Sequence, residues 1–105
     1  MAWILLVAAG LLEVVWAFAM KLSDGFTKPW ATAVTVVAMI ASVTLLAGSM
    51  KSLPLGTAYT VWTGIGAVGA FVLGVVMLGE SMNPVRVLAA MLIVSGILLM
   101  KFSSS

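Results

Sequence analysis

Histidine and cysteine are both absent from the chain. Their absence excludes disulfides, thiolate chemistry, imidazole bases and the usual transition-metal ligands together. Charge is scarce as well. Ordinary soluble domains carry about a quarter charged residues, and here the share is 8%. So few charges cannot cover a water-facing surface. With 64% hydrophobic residues, lipid is the solvent for most of this 105-residue chain. The net charge of +2 then reflects basic residues in loops. No stripe of basic and aromatic residues is present that would hold RNA or DNA, so nucleic acid is not an expected partner. Nor is there a nucleophile, base or metal cluster of the kind an enzyme needs. The expected protein is all-α and membrane-embedded, without cofactor, metal or catalytic residues.

What is there is apolar and segmented. Four stretches, at about residues 2–20, 30–50, 55–78 and 85–101, are separated by short polar breaks. They predict a single four-helix transmembrane domain over residues 1–105. Lys21-Leu22-Ser23-Asp24-Gly25 opens the first break, which runs to Lys28-Pro29. Lys51-Ser52-Leu53-Pro54 forms the second, and Gly79-Glu80-Ser81-Met82-Asn83-Pro84 the third. A span needs roughly 20 apolar residues for a ~30 Å core, and the first three stretches meet that length. The fourth has fourteen residues between Arg86 and Lys101, about 21 Å of helix. It still reads as a span, because Arg86 and Lys101 can snorkel toward the headgroups. Trp3 and Trp30 stand at stretch ends, where an aromatic belt places them. Ala17-Phe18-Ala19 has the look of a cleavage site, but no Lys or Arg precedes the run and Glu13 interrupts it, so a retained first helix is expected. Four spans put both ends of the chain on one side, with Lys51 and Lys101. Lys21, Lys28 and Arg86 lie on the other. Two against three is almost no bias for the positive-inside rule. The count leans toward dual topology, insertion both ways, which would permit an antiparallel dimer; a single orientation is the alternative.

Glu13 is the most informative residue. It lies near the middle of the first span, where an ionised carboxylate costs roughly 2.5–3.5 kcal/mol on insertion scales. No Lys or Arg lies at comparable depth in any span. The options left are a protonated acid, a ligand cation, or the two in alternation; a permanently protonated glue residue is the structural alternative. Gly10 and Trp16, each three residues away, share its face. Gly10 leaves space beside the carboxyl, and the Trp16 indole N–H is a donor. Ser42, at mid-depth in the second span, offers a hydroxyl that can orient a carboxylate. Tyr59 and Trp62, three apart in the third span, suit a cation through ring-face attraction, although aromatics also serve helix packing. Gly64 and Gly66 weaken the middle of the third helix and predict a hinge, or a close packing surface. Ala89 and Gly96, seven apart in the fourth span, predict a small-residue seam for dimerisation, with lipid contact as the alternative.

The run from Lys51-Ser52-Leu53-Pro54-Leu55-Gly56-Thr57-Ala58-Tyr59 through Trp62-Thr63-Gly64-Ile65-Gly66 resembles the third-helix signature of small multidrug resistance transporters. Trp3-Ile4, Gly10-Leu11-Leu12-Glu13-Val14-Val15-Trp16-Ala17, Lys21, Gly25-Phe26-Thr27 and Gly79-Glu80 are similar to its guanidinium-exporter branch. The resemblance covers nearly the whole chain. It implies an antiparallel homodimer in the bacterial cytoplasmic (inner) membrane that exchanges protons for a guanidinium-type cation. It also implies that Glu13 of both subunits binds substrate or protons, and that Trp16, Ser42, Tyr59 and Trp62 line the site. Lys101 matches a basic residue at the end of the fourth helix. Thr60 stands where the family has Ala, and Ala89 where relatives carry Gly. A broader exporter of quaternary ammonium compounds is the competing function. A non-transporting membrane assembly subunit is the alternative of another class, and it would not need Glu13.

Overall fold

A computed structural model describes residues 1–103. The chain forms four helices, α1 (Ala2–Leu22), α2 (Pro29–Ser49), α3 (Leu55–Leu78) and α4 (Pro84–Ser103). Each is long and apolar enough to cross a membrane. Proline and local capping set their starts. Pro29 occupies the first turn of α2, where a missing N–H costs nothing. Pro84 opens α4, and the Asn83 side-chain oxygen accepts the Arg86 backbone N–H at 2.9 Å, a helix N-cap. This start explains why α4 has 20 residues, more than the apolar count between its two cations suggests. α3 ends where Gly79 turns left-handed at φ 70°, and Glu80 N–H closes back on the Gly74 carbonyl at 3.0 Å. The α1–α2 turn is built on buried Ser23, whose hydroxyl donates to the Met20 carbonyl and accepts the Phe26 N–H.

The helices are arranged in the order α2, α1, α3, α4. α1 packs along both α2 and α3, and α4 packs along α3. The assembly is flattened, with extents of 43 × 34 × 16 Å. Its core, formed by Leu6, Ala9, Leu46, Ala58 and Val61, sits toward the end that carries the start of α1 and the α2–α3 turn. None of the α4 residues is buried, and its large apolar side chains, including Leu88, Leu92 and Leu99, face outward. A surface of this kind is stable in hydrocarbon and not in water. At its far end α4 reaches α1, where Lys101 Nζ lies 4.9 Å from the centre of the Trp3 ring.

Candidate functional site

α1 and α3 pack along one seam, and small residues make the approach possible. Glu13 is the twelfth of the 21 residues of α1, near its middle. Its carboxyl rests on Gly66 of α3. A methyl group at Gly66 would collide with Oε1 and Cδ of Glu13, so only glycine leaves the carboxyl its place. One turn earlier Gly10 admits Ile65, whose Cβ would stand 2.8 Å from an added methyl. The space beside the carboxyl therefore comes from Gly66. The space at Gly10, read from the sequence as room for the carboxyl, is filled by Ile65. Gly66 faces Glu13 while its neighbour Gly64 faces Ile93 and Ile97 of α4. α3 runs as one helix through both glycines.

Glu13 Oε1 is buried and has no hydrogen-bond partner among the described residues. The same holds for Trp16 Nε1. A buried polar atom left unpaired is costly, and here two of them stand three residues apart on one helix. Among the described residues, no group of three or more His, Cys, Asp or Glu stands together as a metal cluster would require.

Ser42 is fully buried and links three helices. Its hydroxyl donates to the Ala9 carbonyl of α1 at 2.6 Å and accepts the Trp62 indole N–H of α3 at 3.0 Å. Among the described residues no hydrogen bond joins Ser42, Trp62 or Trp16 to Glu13. The serine instead fixes the Trp62 ring and clamps α2 to α1 one turn from the acid. Tyr59 stacks on Trp62 with ring centres 5.7 Å apart, tilted by 46°. Tyr59 is 54% exposed and lines a groove of about 730 Å³ between α3 and α4, with Thr63, Gly64 and Gly96. Ala89 lines a smaller crevice of about 140 Å³ between the same helices. The predicted residues therefore fall in two groups within one chain. Glu13 and Gly66 lie on the α1–α3 seam, and Trp16 stands one turn from Glu13 on α1. Tyr59, Gly64 and Gly96 open toward the α3–α4 groove, and Trp62 with Ser42 stands between.

The seam shows one feature that sequence reasoning missed: Gly66 as the seat of the carboxyl. The only signal for it was a glycine at the mid-depth of α3, matching that of Glu13 in α1.

The profile of the family described as Small Multidrug Resistance protein matches residues 1–103. The guanidinium exporter of Escherichia coli (strain K12) is 59% identical over 104 residues, covering 99% of each chain. That of Yersinia pseudotuberculosis serotype I is also 59% identical over 104 residues, covering 99% of this chain and all of the relative. The guanidinium exporter of Citrobacter freundii is 53% identical over the same length, with 99% of each chain covered. With the profile running from the first residue to position 103 and these relatives matched end to end, this multi-pass membrane protein belongs to the small multidrug resistance family.

Proposed function

We propose that the chain is a proton-coupled exporter of guanidinium and closely related cations, acting in the bacterial cytoplasmic membrane. It works as an antiparallel homodimer of two four-helix units, with Glu13 of both subunits binding protons or substrate in competition. The observation that carries this reading is the Glu13 carboxyl, seated on Gly66 at the middle of a spanning helix with Oε1 unpaired. The substrate class is supported by the relatives, which are guanidinium exporters. A carboxylate presents two oxygens that match the forked N–H groups of a planar guanidinium. Trp16 and the Ser42-held Trp62 supply further polar and ring-face contacts nearby.

The coupling follows from cost. A bare carboxylate is expensive to carry through the membrane interior. Forms loaded with a proton or a cation are neutralised, and only these change sides. Protons entering down their gradient on Glu13 then drive the cation out. The pair of acids titrates as a unit. Two chains are needed because a flattened four-helix unit, 16 Å in its shortest extent, supplies one acid and one wall. The Tyr59–Trp62 pair, with Tyr59 exposed and Trp62 partly buried, favours a second reading, export of quaternary ammonium ions, which have no N–H to donate.

The test is guanidinium binding to purified protein across about pH 5 to 9, a range that brackets a carboxyl in an apolar site. Apparent affinity is expected to fall as pH is lowered. Glu13→Gln is expected to lose this pH-dependent binding and all transport while still folding. Binding that is flat with pH, or that survives unchanged in Glu13→Gln, overturns the competition. Equal transport of guanidinium and tetramethylammonium favours the quaternary ammonium reading instead.

A further inference from the structure

One turn beyond Glu13, at Ala17, a cavity of about 320 Å³ opens between α1 and α3 and runs to the end of α3. At its far end the chain binds a guanidinium group of its own. Arg86 Cζ stands 4.9 Å from the centre of the Phe71 ring. Its Nη2 lies 3.9 Å from Glu80 Oε1. Its Nη1 donates to the Ser81 carbonyl at 2.6 Å. An aromatic face, a carboxylate and a carbonyl converge on one planar cation, and these are the three groups that recognise guanidinium. Two of its three groups, Phe71 and Glu80, are held independently of the occupant. Phe71 belongs to α3. Glu80 is fixed by its backbone bond to the Gly74 carbonyl and by the missing side chain at Gly74, where a methyl would strike its carboxyl. Both acids of this cleft thus rest on glycines of α3, Glu13 on Gly66 and Glu80 on Gly74. Eight residues separate the glycines, about 12 Å along the helix.

We propose that Phe71, Glu80 and the Ser81 carbonyl form a second guanidinium site at the mouth of the α1–α3 cleft, and that Arg86 is its tethered occupant. The inference rests on the reading that the substrate is a guanidinium cation. Arg86 and Glu80 are 38% and 44% exposed, so the ion pair is open to exchange. While Arg86 fills the cradle, it and Lys21, which lines the same cavity, present positive charge to an approaching cation. When Arg86 leaves, Glu80 and Phe71 receive the substrate about two turns from Glu13. A phosphate headgroup fits less well, because Glu80 faces the same guanidinium that the phosphate would need.

The experiment uses the full chain in detergent micelles, with Glu13→Gln as the parent so that the central site is removed. Guanidinium chloride is titrated against sodium chloride at constant ionic strength, with binding read by calorimetry. The parent is expected to show no saturable binding, and adding Arg86→Ala is expected to create it. Adding Glu80→Gln to that double variant is expected to weaken binding at least about tenfold, as loss of the carboxylate facing the cation does. Tetramethylammonium, with no N–H, is expected to bind at least about tenfold more weakly than guanidinium. Absence of saturable binding in the double variant overturns the proposal, as does binding that Glu80→Gln leaves unchanged. Arg86→Gln is made in parallel. If both Arg86 variants lose the helical circular dichroism of the parent, Arg86 is a structural member of the turn and not an occupant, which overturns the proposal too. Failure of the central reading shows elsewhere, as wild-type protein whose guanidinium binding Glu13→Gln does not change.

Discussion

A glycine that seats a carboxyl and a glycine that seats a branched side chain respond differently to the same methyl group. At Gly66 the added methyl meets the far end of Glu13, a flexible side chain that can swing away. Gly66→Ala is therefore expected to fold, to keep its thermal midpoint within a few degrees, and to lose guanidinium binding because Glu13 is displaced. At Gly10 the methyl meets Ile65 at Cβ, which moves only with the α3 backbone. Gly10→Ala is expected to cost about 1–3 kcal/mol of stability as an overpacked seam. Thermal denaturation followed by circular dichroism, beside a binding isotherm, separates the two. Equal loss of stability in both variants removes the distinction. Ser42 gives a third residue-scale test. Ser42→Ala strips the Trp62 N–H of its acceptor inside the bundle and removes the clamp on Ala9. The expected cost is about 1–3 kcal/mol, read as a lower unfolding midpoint, with pH-dependent binding retained in weakened form. An unchanged midpoint means that the Ser42 bonds contribute nothing net.

At the scale of the helices, ends are set by local chemistry and faces by partners. The α4 start depends on the Asn83 cap, so Asn83→Ala is expected to cost about 0.5–2 kcal/mol while Asn83→Asp, which keeps an acceptor, costs less. Midpoints in a detergent denaturation series check the pair, and an Asn83→Ala midpoint equal to wild type shows that the cap is dispensable. Four helices were legible in the sequence because each apolar run is bounded by Pro, Gly or Ser at a turn. The isolated acid in α1 was legible because nothing in the spans neutralises it. The pairing of faces was not. Periodicity tells which residues share a face, but not which helix that face meets. So Gly66, read as a hinge, meets Glu13, and Gly10, read as space for the acid, meets Ile65. Ser42, at the depth of the carboxylate, gives its hydrogen to the Ala9 carbonyl, four residues before Glu13. The Phe71–Arg86 contact was hidden for the same reason: a helix end and a turn separate the ring from the guanidinium. The fourth span, expected despite its short apolar count, is long enough to cross. The apolar count stops at Arg86 and Lys101, whereas both cations lie inside the helix.

For the whole molecule the decisive quantity is the charge tally across the membrane. Lys51 and Lys101 lie with the chain ends, and Lys21, Lys28 and Arg86 lie opposite, two against three. α4 buries none of its residues, and the four-helix unit is only 16 Å in its shortest extent. If two opposed chains complete the site, then forcing every chain into one orientation removes function without touching the site. Lys51→Ser changes the tally to one against three (2 − 1 on the side of the chain ends). Lys28→Ser with Ser52→Lys and Ser103→Lys reverses it to four against two (2 + 2 against 3 − 1). Lys28, Lys51, Ser52 and Ser103 are all exposed and outside the Glu13 seam. By the positive-inside rule the two variants insert oppositely. Each expressed alone is expected to give a single side of exposure for a C-terminal tag and no guanidinium export from cells. Co-expression is expected to restore export, because each orientation then finds its complement, and Glu13→Gln in both partners is expected to abolish the restored activity. Full export by either variant alone, with its tag on one side only, means that chains of one orientation suffice, and the antiparallel pair is then wrong even if Glu13 remains the site.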